Sequence, residues 1–232
     1  MLRAFCVPQR AFPVTNQRNH RSLTGDFVNI YVGAKRKKYS VHSSVFLSQC
    51  PWFEESENWF AEGAEDASLY LKDESVEALE LFLEWLYRGS IRPMCADADF
   101  FDDCGHGELY LLAGKWKTEI LQNHVMDSLL DWCREHDGWV EPKEIRIIFD
   151  QTASSSPLRH FVIRQTAHFL STSDWADEED EWRELLDIGG DFAFEVMKAL
   201  RDSARRKIKS PGDQANCDFH IHVSGNRCDG TK

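Results

Sequence analysis

Four residues close together in the last part of the chain, Cys217, His220, His222 and Cys228, carry the donor atoms most suited to binding a metal. Thiolate and imidazole are the preferred ligands of tetrahedral zinc, and two of each would close a structural site. The spacing is not that of a standard zinc finger. On an extended segment His220 and His222 point to one face, while Cys217 faces away unless the chain turns at Asp218. Ser224-Gly225-Asn226 can turn the chain back and return Cys228. A zinc ion with an open coordination position would make the cluster catalytic. The simpler reading is a terminal segment without metal, and no cofactor is expected from the rest of the sequence.

Asp26 and His42 form a second candidate pair. They bracket a hairpin, so a carboxylate and an imidazole can meet near its open end. Such a pair could orient a general base. No nucleophile elbow accompanies it, and a structural hydrogen bond is the expectation. Gly107 and Gly114-Lys115 only superficially suggest a phosphate loop, because Trp116 stands where Ser or Thr is required. The basic stretch from Arg201 to Lys209 reads as a helix end that complements the helix dipole, with a nuclear address as the alternative. The Trp-rich faces read as core.

The elements that position these residues belong to a chain of 232 residues with 27 basic and 39 acidic side chains and a net charge of −12. That balance argues against a general nucleic-acid binder, and no apolar stretch is long enough for a membrane span. Seven widely spaced cysteines and the lack of an Asn-x-Ser/Thr acceptor suit a reducing intracellular compartment, cytoplasmic or nuclear. Residues 1–25 hold four Arg and no acid. They read as a disordered basic tail rather than a presequence, because Pro8 and Pro13 interrupt any amphipathic helix.

From Asp26 the chain reads first as a small sheet. Val28, Ile30 and Val32 alternate toward one face and stop at Gly33; a polar turn through Lys35–Lys38 leads to Tyr39-Ser40-Val41. Ser43 or Ser44 can cap a short helix, Pro51 can open another, and Ser68–Leu71 alternates as a third strand. Val76, Leu79, Leu83 and Leu86 fall at helical spacing between cap candidates Asp73 or Ser75 and a Gly89 stop. A loop over residues 95–107 precedes helices from Glu108 to Trp116 and from Glu119 to Cys133. Further helices are expected over Pro142–Gln151, Pro157–Leu170 and Phe192–Lys207. Asp174–Glu181, six acids in eight residues, reads as a solvated loop or helix start.

This order of elements resembles the BTB/POZ domain, in the form abundant in filamentous fungi. Thr24-Gly25-Asp26-Phe27-Val28 with Ile30–Gly33 is similar to its first strand, and Tyr39-Ser40-Val41-His42 to its second strand and signature His. Val45–Ser48 with Cys50-Pro51-Trp52-Phe53 is similar to its helix junction. Leu69-Tyr70-Leu71 and Leu83–Ile91 are similar to its third strand and hallmark helix. The resemblance is dense over 26–93, extends to 136, and more weakly covers the helices of 141–209. It implies an α+β BTB/POZ fold, a small sheet packed with a helical cluster, followed by a mostly α-helical extension and a Cys/His-containing tail over 210–232.

The resemblance also implies a non-enzymatic protein-protein interaction module, a substrate adaptor or scaffold of a cullin-RING ubiquitin ligase. The other reading is a nuclear transcription-regulatory scaffold. Cullin-binding members carry a hydrophobic-x-Glu triplet after the second short helix, and Phe60-Ala61-Glu62 stands at the matching place. Phe60 would fill an apolar pocket of the cullin and Glu62 would contact its edge. No substrate-capturing second domain is recognisable, so that role falls to the helical extension. Metazoan relatives swap an extra N-terminal helix and strand between subunits; residues 1–25 show neither periodicity, which leaves homodimerisation open.

Overall fold

The computed structural model describes residues 27–50, 53, 68–96, 99–101, 104–136, 138–172, 179–187, 190–203 and 210–222. Strand β1 (Phe27–Val32) is the centre of a three-stranded sheet of order β2-β1-β3, antiparallel to β2 (Lys37–His42) and parallel to β3 (Ser68–Leu71). Alternation decides which residues reach the core. Val28, Ile30 and Val32 are buried, and Val41, Leu69 and Leu71 join them from the neighbouring strands. The turn joining β1 and β2 begins at Gly33 and ends at Arg36, both at positive φ.

The next helix, α1 (Ser43–Gln49), begins directly from β2 with His42 as its N-cap in extended conformation. Neither Ser43 nor Ser44 supplies the expected cap, because the chain is already helical at Ser43. Helix α2 (Val76–Arg88) has the start and stop expected from sequence. Ser75 Oγ accepts from the Ala78 N–H at 3.1 Å, and Gly89 closes the C-terminus at φ 76° with its N–H 2.7 Å from the Trp85 carbonyl. Ala78, Leu79, Leu81, Phe82, Trp85 and Leu86 are all buried, so the helix is apolar around much of its circumference. Burying a side chain such as Phe82 contributes about 2–3 kcal/mol.

Helix α3 (His106–Lys115) starts two residues before the expected Glu108, because Gly105 at φ 68° turns the chain into it. A Cβ at Gly105 would lie 2.9 Å from Glu77 Cβ, so the turn packs against α2 where only glycine fits. Helix α4 spans Glu119–His136. Phe46, Phe53, Phe82 and Trp116 meet at ring distances of 4.8–5.8 Å, locking α1, α2 and the α3–α4 connection together.

The extension consists of α5 (Pro142–Gln151), α6 (Pro157–Thr172), α7 (Glu179–Asp187) and α8 (Gly190–Ser203). Trp182 and Leu185 are buried on α7, which begins at Glu179 within the acidic run read as a solvated loop or helix start. One cluster of buried side chains runs from Val28 through α2 and α4 to Phe219, so the extension shares its core with the sheet and the first helices. At the boundary, Glu144 is 1% exposed and takes N–H bonds from Phe101 at 2.8 Å and Glu141 at 2.9 Å. Burial pushes its carboxyl above the usual range, against the pull of those two donors.

Instead of a strand, the last described segment contains two 3-10 turns, Pro211–Asp213 and Asn216–Phe219. Side chains of α4 take up its backbone groups, so it has no need of a neighbouring strand. Arg134 donates to the carbonyls of Gly212 and Gln214 and to Asn216 Oδ1 at 2.6–3.3 Å, and Asn123 pairs with Ile221. Phe219 is fully buried, 5.6 Å from the Phe161 ring of α6.

Candidate interaction surfaces

The outward residues of the sheet form three cross-strand rows. His42 lies opposite Phe27; Ser40 and Ser68 flank Asn29; Lys38 and Tyr70 flank Tyr31. Tyr31 and Tyr70 stack at 4.9 Å with their planes 8° apart. Lys38 Nζ stands 5.8 Å from the Tyr31 ring centre, and the Arg36 guanidinium 5.8 Å from that of Tyr70. On the inner side, Lys37 Nζ and Tyr39 Oη reach Glu80 of α2 at 2.7 and 2.6 Å. These two donors hold the Glu80 carboxyl below its ordinary range.

At the far end of the same face, the Tyr87 hydroxyl accepts from the His42 backbone N–H at 3.1 Å and lies 3.0 Å from His42 Nδ1. Phe27 packs on the imidazole at 4.6 Å. His42 is thus fixed by α2 and β1, while Asp26, its expected partner, lies outside the described residues. No local sequence signal ties Tyr87 to His42, which it reaches from the last turn of a helix 45 residues later. Phe27 and Tyr87 remain 51% and 41% exposed, leaving an aromatic corner on the surface.

Phe60 and Glu62 also lie outside the described residues. Phe53, buried against Phe46 and Trp116, anchors the chain shortly before them.

Among the candidate metal ligands, the 3-10 turn at Asn216–Phe219 supplies the bend required at Asp218 and brings Cys217 Sγ within 3.3 Å of His222 Nε2. His220 turns elsewhere. Its Nε2 lies 2.9 Å from Asp127 Oδ1, and the His220 and His222 ring centres are 6.2 Å apart. Cys228 lies outside the described residues, and among those described no group of three or more His, Cys, Asp or Glu is placed to hold a metal ion. Asp127 also accepts from Asn216 Nδ2 at 2.5 Å, so this carboxylate binds the segment at two points.

The extension carries an open cleft of about 270 Å³ lined by Ile145, Arg146, Phe149, Asp150, Arg159, Leu185, Asp191 and Phe192. Arg159 is committed to structure: it donates to the carbonyls of Phe149 and Thr152, and its guanidinium lies over the Phe149 ring. Arg146, Asp150 and Asp191 are exposed around an apolar floor, a mixture suited to a polypeptide side chain. Nothing in the sequence pattern marks this cleft, because it is assembled from four helices.

No helix among the described residues is long and apolar enough to cross a membrane. The family model described as BTB/POZ domain matches residues 18–131. No curated protein matches the sequence.

Proposed function

Because this chain is built around a BTB/POZ domain, a protein-protein interaction module, we propose that it is an adaptor that holds two proteins at a fixed separation. The BTB/POZ domain would engage a cullin of a ubiquitin ligase, and the helical extension would hold the substrate. The shared core carries this reading. A bridge between partners must be stiff to present one to the other, and the continuous packing from the sheet to Phe219 makes both parts one hydrophobic unit. The cleft at Arg146 and Asp150 offers the extension a docking surface of its own.

For the cullin contact, Phe60 acts as the buried anchor and Glu62 as the charged rim, the division of labour common in interfaces dominated by a few residues. Replacing both with alanine in the full chain is expected to abolish cullin co-purification and leave the melting curve unchanged. Undiminished co-purification would overturn the assignment.

A further inference from the structure

The sheet has a charge opposite in sign to that of the chain as a whole. Residues 27–50 contain Lys35, Arg36, Lys37 and Lys38 and no acid, and 68–72 add Lys72 and again no acid, in a chain of net charge −12. Only Lys37 has a described carboxylate partner on this side, and it points inward to Glu80. Lys35, Arg36, Lys38 and Lys72 have none among the described residues. The outer face also offers flat apolar area, since Tyr70 is 57% exposed and its ring continues that of Tyr31 as one platform. Arg36 and Lys38 are held beside these rings, which reduces the side-chain freedom lost when they take a ligand.

We propose that the Tyr31–Tyr70 face, with Arg36 and Lys38 at its rim, docks an acidic segment of a partner protein carrying an aromatic or apolar side chain. The acids would pair with Arg36, Lys38 and Lys35, and the apolar side chain would lie on the tyrosine platform. Charge complementarity selects this occupant. An acidic protein body repels most acidic polypeptides, and this face locally reverses that repulsion. A single-stranded nucleic acid could also use stacked tyrosines and cations, but a phosphate at every nucleotide would carry its charge beyond this small cluster of cations onto the acidic remainder of the chain, which a short acidic segment need not reach. None of its residues belongs to the Phe60-Ala61-Glu62 triplet, so the proposal stands or falls independently of the cullin reading.

The test is fluorescence anisotropy on the full chain with three labelled probes. The first is a peptide of about ten residues with Asp and Glu around a central Trp, the second its Asn/Gln counterpart, and the third an oligouridylate of equal length. The acidic peptide is expected to bind, to weaken roughly tenfold on raising salt from about 50 to about 500 mM, and to exceed the neutral peptide by a similar factor. Tyr70→Ala and Lys38→Glu should each weaken it roughly tenfold, with unchanged melting curves. If Lys38→Glu disturbs the sheet, Lys38→Gln should weaken binding by a smaller factor. Equal binding of acidic and neutral peptides, insensitivity to the variants, or tighter binding of the oligouridylate would overturn the proposal.

Discussion

The side-chain amide of Asn123 pairs with both backbone groups of Ile221, 98 residues further along the chain: Oδ1 accepts the Ile221 N–H at 2.8 Å and Nδ2 donates to its carbonyl at 3.3 Å. Asn123 thus does for Ile221 what a neighbouring strand would do, and with Arg134 and Asp127 it fastens residues 212–221 along α4. The last described segment therefore bridges the BTB/POZ domain and α6.

Asn123→Ala leaves the N–H and the carbonyl of Ile221 without their protein partner. The expected loss is about 1–3 kcal/mol, with earlier proteolytic cleavage between residues 210 and 222. Limited proteolysis followed by mass spectrometry reads both the rate and the position. Cleavage at the wild-type rate would mean that Phe219 alone holds the segment.

Glu144→Ala removes the acceptor of two buried N–H groups, those of Phe101 and Glu141. Because Glu144 joins the 99–101 loop to α5, the loss of about 2–3 kcal/mol should appear in one cooperative transition that includes the sheet. Chemical denaturation followed separately by tryptophan fluorescence and circular dichroism checks this. Two separated transitions would contradict the shared core.

Stability should fall as the solution is acidified from about pH 7 to about pH 5.5. Burial holds the imidazoles of His106, His124 and His160 below their ordinary value of 6.5. The carbonyls near His106 and the Asp127 charge near His124 only partly oppose this. Below pH 6.5 the unfolded chain takes up protons that the folded chain refuses, so stability is retained above that value and lost as pH falls toward the folded-state values. Glu144 and Asp131, raised by burial, act in the opposite sense above their ordinary values of 4.5 and 3.8, as two carboxyls against three imidazoles. A melting temperature that rises by a few degrees on going from about pH 5.5 to about pH 7 agrees; a flat or inverted profile does not.

Thiol reactivity should separate the cysteines by position. Burial pushes the Cys50 and Cys133 thiols up to about 12, so both should resist alkylation at neutral pH until the protein unfolds. Cys95, exposed before the α3 turn, should react in the native state. Peptide mapping after timed alkylation distinguishes them, and native labelling of Cys50 at the rate of Cys95 would contradict the burial described here.

Elements whose signal is local were legible in the sequence. The alternation of Val28, Ile30 and Val32, and the Ser75 cap with its Gly89 stop, each lie within one short window and appear where expected. The α7 helix was legible only as one of two readings of the acidic run, a helix start, because its acids dominate the window while the decisive contacts of Trp182 and Leu185 are tertiary. The same division holds for the surfaces. Sequence could name His42, Cys217, His220 and His222 but not their neighbours, because Tyr87 and Asp127 reach them from α2 and α4. Tyr31 and Tyr70 occupy outward positions of two strands, but only the parallel register of β1 and β3 places them side by side.

The most direct measurement of the adaptor account is quantitative affinity purification of the full chain from its native host, comparing wild type with Phe60→Ala/Glu62→Ala and, separately, with Arg146→Glu/Asp150→Arg. The account predicts that wild type retains both a cullin and a second protein, that the first variant loses only the cullin, and that the second loses only the other partner. Loss of both partners from either variant, or of neither from both, would contradict it.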